Sequence, residues 1–240
     1  MPGLYKDEGI VLKTIKLGEA DRIVTIFTRN NGKVRAVAKG IRKTKSRFGA
    51  RLEPFTHAHL MIYKGRNLDT ITGVDILTSF DQIRTDYRRL TAASALAEIV
   101  EKITPEREKA FSTYSLLLGG LEALAANKVD TLVPAFLVKL LSLSGYHPQL
   151  SVCAGCGGRG PLGAFSPHFG GAVCDGCWRE DRDSMRLDAD RIELLARLLR
   201  REFGEVGDPM AVGEVTQALR RYAEYHLERP LRSLQLLATA

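Results

Sequence analysis

Residues 22–39 read Arg22-Ile23-Val24-Thr25-Ile26-Phe27-Thr28-Arg29-Asn30-Asn31-Gly32-Lys33-Val34-Arg35-Ala36-Val37-Ala38-Lys39. Two β-rich runs flank Asn30-Asn31-Gly32, a strong hairpin signal, because Asn and Gly accept the positive φ angles of a tight primed turn. The second run alternates cleanly. Val34, Ala36 and Ala38 fall on one face and Lys33, Arg35, Val37 and Lys39 on the other, as a strand with one buried side requires.

Working outward, Gly9-Ile10-Val11-Leu12-Lys13-Thr14-Ile15 forms an earlier strand, joined to the hairpin through Leu17-Gly18-Glu19-Ala20-Asp21. Two further strands are expected over residues 57–63 and 68–77. Five short strands, closed to hide their edges, point to an OB-type barrel. An SH3-like barrel is the competing closure, and strand propensity does not separate the two.

The chain has 240 residues, 45% hydrophobic, with 35 Lys and Arg against 28 Asp and Glu. This composition excludes a disordered tail or a collagen-like fibre. The excess charge is local: residues 1–80 carry 15 basic and 7 acidic side chains, and the remainder 20 and 21. Lys33, Arg35, Lys39, Arg42, Lys43, Lys45, Arg47 and Arg51 follow one another with no acid before Glu53. Such a block attracts phosphate by releasing counterions, so these eight residues are the expected DNA-binding cations, against a bland reading as a solvated loop. Barrels of this type add aromatic stacking platforms. Phe48, flanked by Arg47 and Gly49, is the expected one. Phe27 reads as core, and Tyr63 shares a strand face with His57, His59 and Met61, where most aromatics pack.

From about residue 81 the apolar period changes to 3.6. Leu90, Ala93, Ala97 and Val100 mark one helix, then Phe111 to Leu124, then Val133 to Leu141, ended by Gly145. Ile192, Leu195, Leu199 and Phe203 mark a fourth with Gly204 as C-cap, and Asp208-Pro209 opens a fifth. These stripes predict a helical bundle. His226 reads as an ordinary helix-face residue.

All four cysteines lie in Cys153-Ala-Gly-Cys156 and Cys174-Asp-Gly-Cys177. This is zinc-ribbon or knuckle spacing. Two thiolates three positions apart on a glycine-permitted turn can face one centre, and two such turns close a tetrahedron. Disulfides, a redox Cys-x-x-Cys and an iron–sulfur site fit less well. One structural zinc ion is expected, held by Cys153, Cys156, Cys174 and Cys177, with no open position for catalysis. His168, between the pairs, is not needed as a ligand. The predicted architecture is therefore α+β and multidomain. An OB-type barrel covers residues 1–80, a helical bundle covers 81–147 and resumes over 184–240, and a four-cysteine zinc insertion occupies 148–183.

The sequence has no phosphate-binding loop, no nucleophile elbow, no histidine-rich metal cluster and no nuclease-like group of carboxylates. A non-enzymatic protein is expected. No apolar run is long enough to span a bilayer, and the N-terminus lacks an apolar signal core, so a cytoplasmic protein without a membrane partner is expected.

In this order, the parts resemble the bacterial RecO family of DNA repair proteins. Carrying residues are Gly9-Ile10-Val11-Leu12, Gly18-Glu19-Ala20-Asp21-Arg22-Ile23-Val24, Gly32-Lys33-Val34-Arg35-Ala36-Val37-Ala38-Lys39-Gly40 and Leu52-Glu53-Pro54-Phe55. Gly145-Tyr146-His147-Pro148-Gln149-Leu150, the cysteine pairs and Arg232-Ser233-Leu234 agree as well. The resemblance implies a recombination mediator with an OB-fold N-terminal domain. It implies binding of single- and double-stranded DNA, engagement of single-stranded-DNA-binding protein, and annealing of complementary strands without ATP. It further implies RecA loading with RecR as partner, in the nucleoid-associated cytoplasm, on the zinc-containing branch. A zinc-ribbon transcription or translation factor is the alternative; a DNA-processing enzyme is disfavoured by the absent carboxylate cluster.

Overall fold

The computed structural model describes residues 3–44, 46, 48–127, 130–200 and 208–237. Strands β1 (Leu4–Leu17), β2 (Asp21–Thr28), β3 (Gly32–Ala38), β4 (His57–Tyr63) and β5 (Asp69–Thr78) close into a barrel in the order β1-β2-β3-β5-β4. All neighbours are antiparallel except β3 and β5, which pair in parallel at Ala36–Asp69 and Val37–Thr70. This is the OB-like closure. Val11, Val24, Ile26, Ala36, Ala38, Leu60, Ile62 and Ile71 fill the interior, as the alternation in residues 33–39 predicts.

The β2–β3 turn differs from the expected primed turn. Gly32 alone has positive φ, +64°. Asn30 and Asn31 instead turn their side-chain amides onto the Asp7 carboxylate at 2.9 and 2.6 Å. A β-carbon at Gly32 would lie 1.9 Å from the Glu108 carbonyl oxygen, so this glycine also admits a close backbone approach from the helical body.

Val11 points into the barrel, and a register shift in β1 between Val11 and Lys13 leaves Leu12 and Lys13 both on its outer surface. There Ile10, Leu12 and Phe27 join the core of the helical region. Helices α1 (Asp81–Arg84), α2 (Tyr87–Ile103), α3 (Phe111–Ala125) and α4 (Leu132–Leu143) follow. Next come the small elements β6 (Ala164–Ser166), β7 (Gly171–Val173), α5 (Asp175–Trp178) and β8 (Met185–Arg186). The chain ends in α6 (Ala189–Arg200), α7 (Pro209–Leu227) and α8 (Arg232–Leu237). The predicted helical stripes fall on α2, α3, α4, α6 and α7, although Leu90 and Phe111 stay exposed at the margins. Asp208 caps α7 as its position before Pro209 predicts, accepting from the Ala211 N–H at 2.9 Å. The expected Phe203 and Gly204 lie outside the described residues. Helix α8 carries no readable stripe. It is held because Glu98 of α2 accepts from the N–H groups of Arg232 and Ser233, at 3.2 and 2.6 Å, satisfying the donors that every helix start leaves unpaired.

Two carboxylates, one buried and one half-buried, fasten barrel to helices. Asp69, with no exposed surface, accepts from the Tyr5 hydroxyl at 2.7 Å, the Arg107 guanidinium at 2.8 Å and the Gly65 N–H at 3.0 Å. Glu8 accepts from the Tyr114 hydroxyl at 2.8 Å, and His57 Nε2 lies 2.8 Å from both. Burial pushes both carboxyls up. At Asp69 Arg107, Tyr5 and the Gly65 N–H outweigh it, and at Glu8 Tyr114, His57 and Arg29 do so. Both are held below their ordinary values of 3.8 and 4.5. Their stabilisation is therefore complete above those ordinary values and is lost as pH falls through the lowered folded-state ones. Glu8→Gln is expected to cost about 1 kcal/mol at neutral pH and to flatten the acid limb of stability below about pH 4.5, measured by urea unfolding across pH.

Candidate nucleic-acid face and metal centre

The segment between β3 and β4 crosses one end of the barrel. Ile41, Phe48 and Leu52 point inward and plug it, the last from a short 3-10 turn over Gly49–Leu52. Phe48 is 1% exposed. The expected stacking role of Phe48 is thus corrected: a five-stranded barrel needs its end filled, and the apolar spacing Ile41, Phe48, Leu52 was the overlooked signal of that plug.

Of the eight cations expected at DNA, Arg35, Lys39, Arg42, Lys43 and Arg51 are exposed; Lys45 and Arg47 lie outside the described residues. Arg42 also ties the connector to the β1–β2 turn, donating to the carbonyls of Gly18 and Glu19 at 3.2 and 2.8 Å. Arg35 is 3.8 Å from Glu106. Lys33 is the second correction. It is 8% exposed, and its ammonium donates to the carbonyls of Glu101 and Thr104 at the end of α2. Burial lowers its pKa against the pull of Glu101 and Glu106. The alternating pattern placed it outward correctly, but α2 covers that part of the outer face. Lys64 and Arg66, exposed in the β4–β5 loop, lie outside the basic block in sequence; the β3–β5 pairing brings their loop alongside β3.

The four cysteine sulfurs lie within 4.8 Å of one another, with Cys156 and Cys174 at 3.9 Å. No two are bonded. A tetrahedral ion with four metal–sulfur bonds of about 2.3 Å needs sulfurs about 3.8 Å apart. The first pair sits on a turn where Gly157, at φ +73°, donates its N–H to the Cys153 carbonyl at 2.8 Å. The second pair sits at the start of α5, where the Trp178 N–H donates to the Cys174 carbonyl at 2.9 Å. Gly155 leaves room for sulfur: a β-carbon there would stand 2.9 Å from Cys177 Sγ. Burial pushes Cys153 up, but the N–H groups of Cys156, Cys174 and Gly155 outweigh it and bring the thiol to about 6. Burial and the three neighbouring sulfurs push Cys177 up to about 12. Four such groups converge as anions only around a cation, so the residues fit a metal ion. His168 is not among them; its Nδ1 lies 3.3 Å from the Tyr225 hydroxyl.

The module around the cysteines has few buried apolar residues of its own: Cys153, Ala164 and Val173. It leans on the helical body through Phe165, stacked at a tilt on Tyr222 at 5.3 Å, and through Gln149, whose backbone pairs with Gly170 and Ala172. His226 belongs to the same aromatic cluster, stacked on Tyr146 at 5.0 Å.

With barrel, helices and cysteine cluster in place, family models match both halves of the chain. "Recombination protein O N terminal" covers residues 1–80 and "Recombination protein O C terminal" residues 84–235. The chain belongs to the RecO family. Among curated relatives, the DNA repair protein RecO of Frankia casuarinae is 44% identical over 99% of both chains. That of Thermobifida fusca is 43% identical, also over 99% of both. That of Streptomyces coelicolor is 43% identical over 97% of this chain and 98% of its own. The N-terminal match thus covers the barrel and the connector that carry exposed Arg35, Lys39, Arg42, Lys43 and Arg51. Because Phe48 is core, Phe48→Ala is expected to lower stability by about 3–5 kcal/mol in a denaturant titration, with any loss of DNA affinity following unfolding.

Proposed function

We propose that this protein is a DNA repair and homologous-recombination mediator that binds single- and double-stranded DNA. The observation carrying the reading is the connector between β3 and β4, where Ile41, Phe48 and Leu52 plug the barrel while Lys39, Arg42, Lys43 and Arg51 are exposed. Membership of the RecO family supports the repair role. Phosphates of two strands held on these cations repel each other less, so complementary strands pair without ATP, and base pairing itself supplies specificity. In this reading the protein engages strands coated with single-stranded-DNA-binding protein and, with RecR, promotes RecA loading. It acts in the cytoplasm at the nucleoid, through binding and positioning rather than bond chemistry. Among the described residues no helix is long and apolar enough to cross a membrane.

The cysteine cluster holds one zinc ion in a structural role. Four thiolates leave no position for water, and the module around them is too small to fold on its own apolar core. Elemental analysis is expected to find one zinc per chain, with Cys153→Ser or Cys174→Ser losing the metal and lowering the melting temperature.

Annealing of complementary oligonucleotides coated with the cognate single-stranded-DNA-binding protein, without ATP and across a salt series, tests the mediator reading. Lys39→Glu, Lys43→Glu, Lys45→Glu and Arg47→Glu combined are expected to slow annealing. They should also flatten the log–log salt dependence of single-strand binding by about 0.7 for each phosphate no longer neutralised. An unchanged slope places the footprint elsewhere.

A further inference from the structure

The strand register lines up one residue per strand in a continuous row around the outside of the barrel. Ile15 on β1 pairs with Ile23 on β2, and Ile23 with Val37 on β3. Val37 pairs with Thr70 on β5, and Thr70 with Tyr63 on β4. Directly paired residues share a face of the sheet. Their sequence neighbours Val24, Ala36, Ile71 and Ile62 point into the barrel core, so the row points out.

Much of this outer surface is already used. Ile10 and Phe27 pack against the helical body. In the next row, Lys13 pairs with Glu101 at 2.8 Å and Arg35 with Glu106 at 3.8 Å. One step further along the strands, the cover ends among the described residues. Ile15 is 49% exposed and Tyr63 46%, while Ile23, Val37 and Thr70 are half-buried. At about 4.8 Å between strands, four steps make a path of about 19 Å. Its borders are cationic: exposed Lys39 continues β3 beyond Val37, and exposed Lys64 and Arg66 follow Tyr63.

An apolar path edged by cations matches an unpaired polynucleotide, which can turn phosphates to the cations and lay bases on the side chains between them. A duplex hides its base faces in its own stack, so it can use the cations but not the path. We propose that this row is a base-packing track that makes the barrel favour single-stranded over double-stranded DNA. Tyr63 is its stacking platform, with Ile15, Ile23 and Val37 as its apolar floor. The inference rests on DNA binding by the barrel and divides it in two: the cationic connector supplies affinity common to both forms, and the row supplies the difference.

The test compares Tyr63→Ala, Tyr63→Phe and the double variant Ile15→Ser/Tyr63→Ala of the full chain. Both positions are exposed, and unchanged melting temperatures verify the fold. Fluorescence anisotropy then measures affinity for a thymidine homopolymer and for a duplex of equal length across salt. Tyr63→Ala is expected to weaken single-strand binding about fivefold or more, the scale of removing one base–aromatic stack, and the double variant to weaken it further. Duplex affinity and both salt slopes stay unchanged, since every phosphate-binding cation is still present, and Tyr63→Phe retains binding. Equal losses on both substrates overturn the track. So does unaltered single-strand affinity, which leaves the row as a protein-docking face while the charge-reversal variants report separately on the connector. If the wild-type protein binds neither form, the underlying DNA-binding reading fails with it.

Discussion

Asp69 is a carboxylate with no exposed surface, and the way it is satisfied sets where the barrel sits on the helices. Leaving such a charge unpaired costs several kcal/mol, so each group that reaches it is held in place. Those groups come from β1 through Tyr5, from the β4–β5 loop through Gly65, and from the α2–α3 loop through Arg107. Glu8, His57 and Tyr114 form a second polar peg between β1, β4 and α3. The buried ammonium of Lys33 forms a third, on the carbonyls ending α2. Around these pegs Ile10, Leu12 and Phe27 merge the barrel's outer surface into the helical core. The barrel is therefore fixed to the helices, and its uncovered surface is whatever that docking leaves free.

This arrangement sorts the basic block into different jobs. Lys33 serves the junction, and Arg42 ties the connector to the β1–β2 turn. Lys39, Lys43 and Arg51 stand in solvent because the apolar residues among them turn inward to close the barrel end. A single stretch thus combines a plug and a charged surface. The inward-turned side chains give those cations a packed support at the barrel end.

The cysteine module is attached to a different part of the helical body. Its links run through Gln149, just beyond α4, and through Phe165 onto Tyr222 of α7, whereas the barrel rests mainly on α2 and α3. Its sulfurs converge without an extensive core behind them. In such a module, metal affinity and local folding are one equilibrium.

Local rules made much of this legible in the chain itself. The alternation of residues 33–39, most of the helical stripes among the described residues, the Asp208-Pro209 cap and the paired Cys-x-x-Cys turns each depend on neighbours a few positions apart, and each stands in the structure where its pattern places it. The failures share a different cause. Phe48 looked exposed because its flanks are Arg47 and Gly49, yet the barrel end that buries it is built from strands elsewhere in the chain. Lys33 alternates outward as read, but α2, some 70 residues later, covers it. The outer row ending at Tyr63 exists only through the parallel β3–β5 pairing, for which no local signal exists. Periodicity and spacing determine which residues can share a face. Which of those faces is left to solvent is decided by long-range packing, because burial depends on what the rest of the chain brings against it.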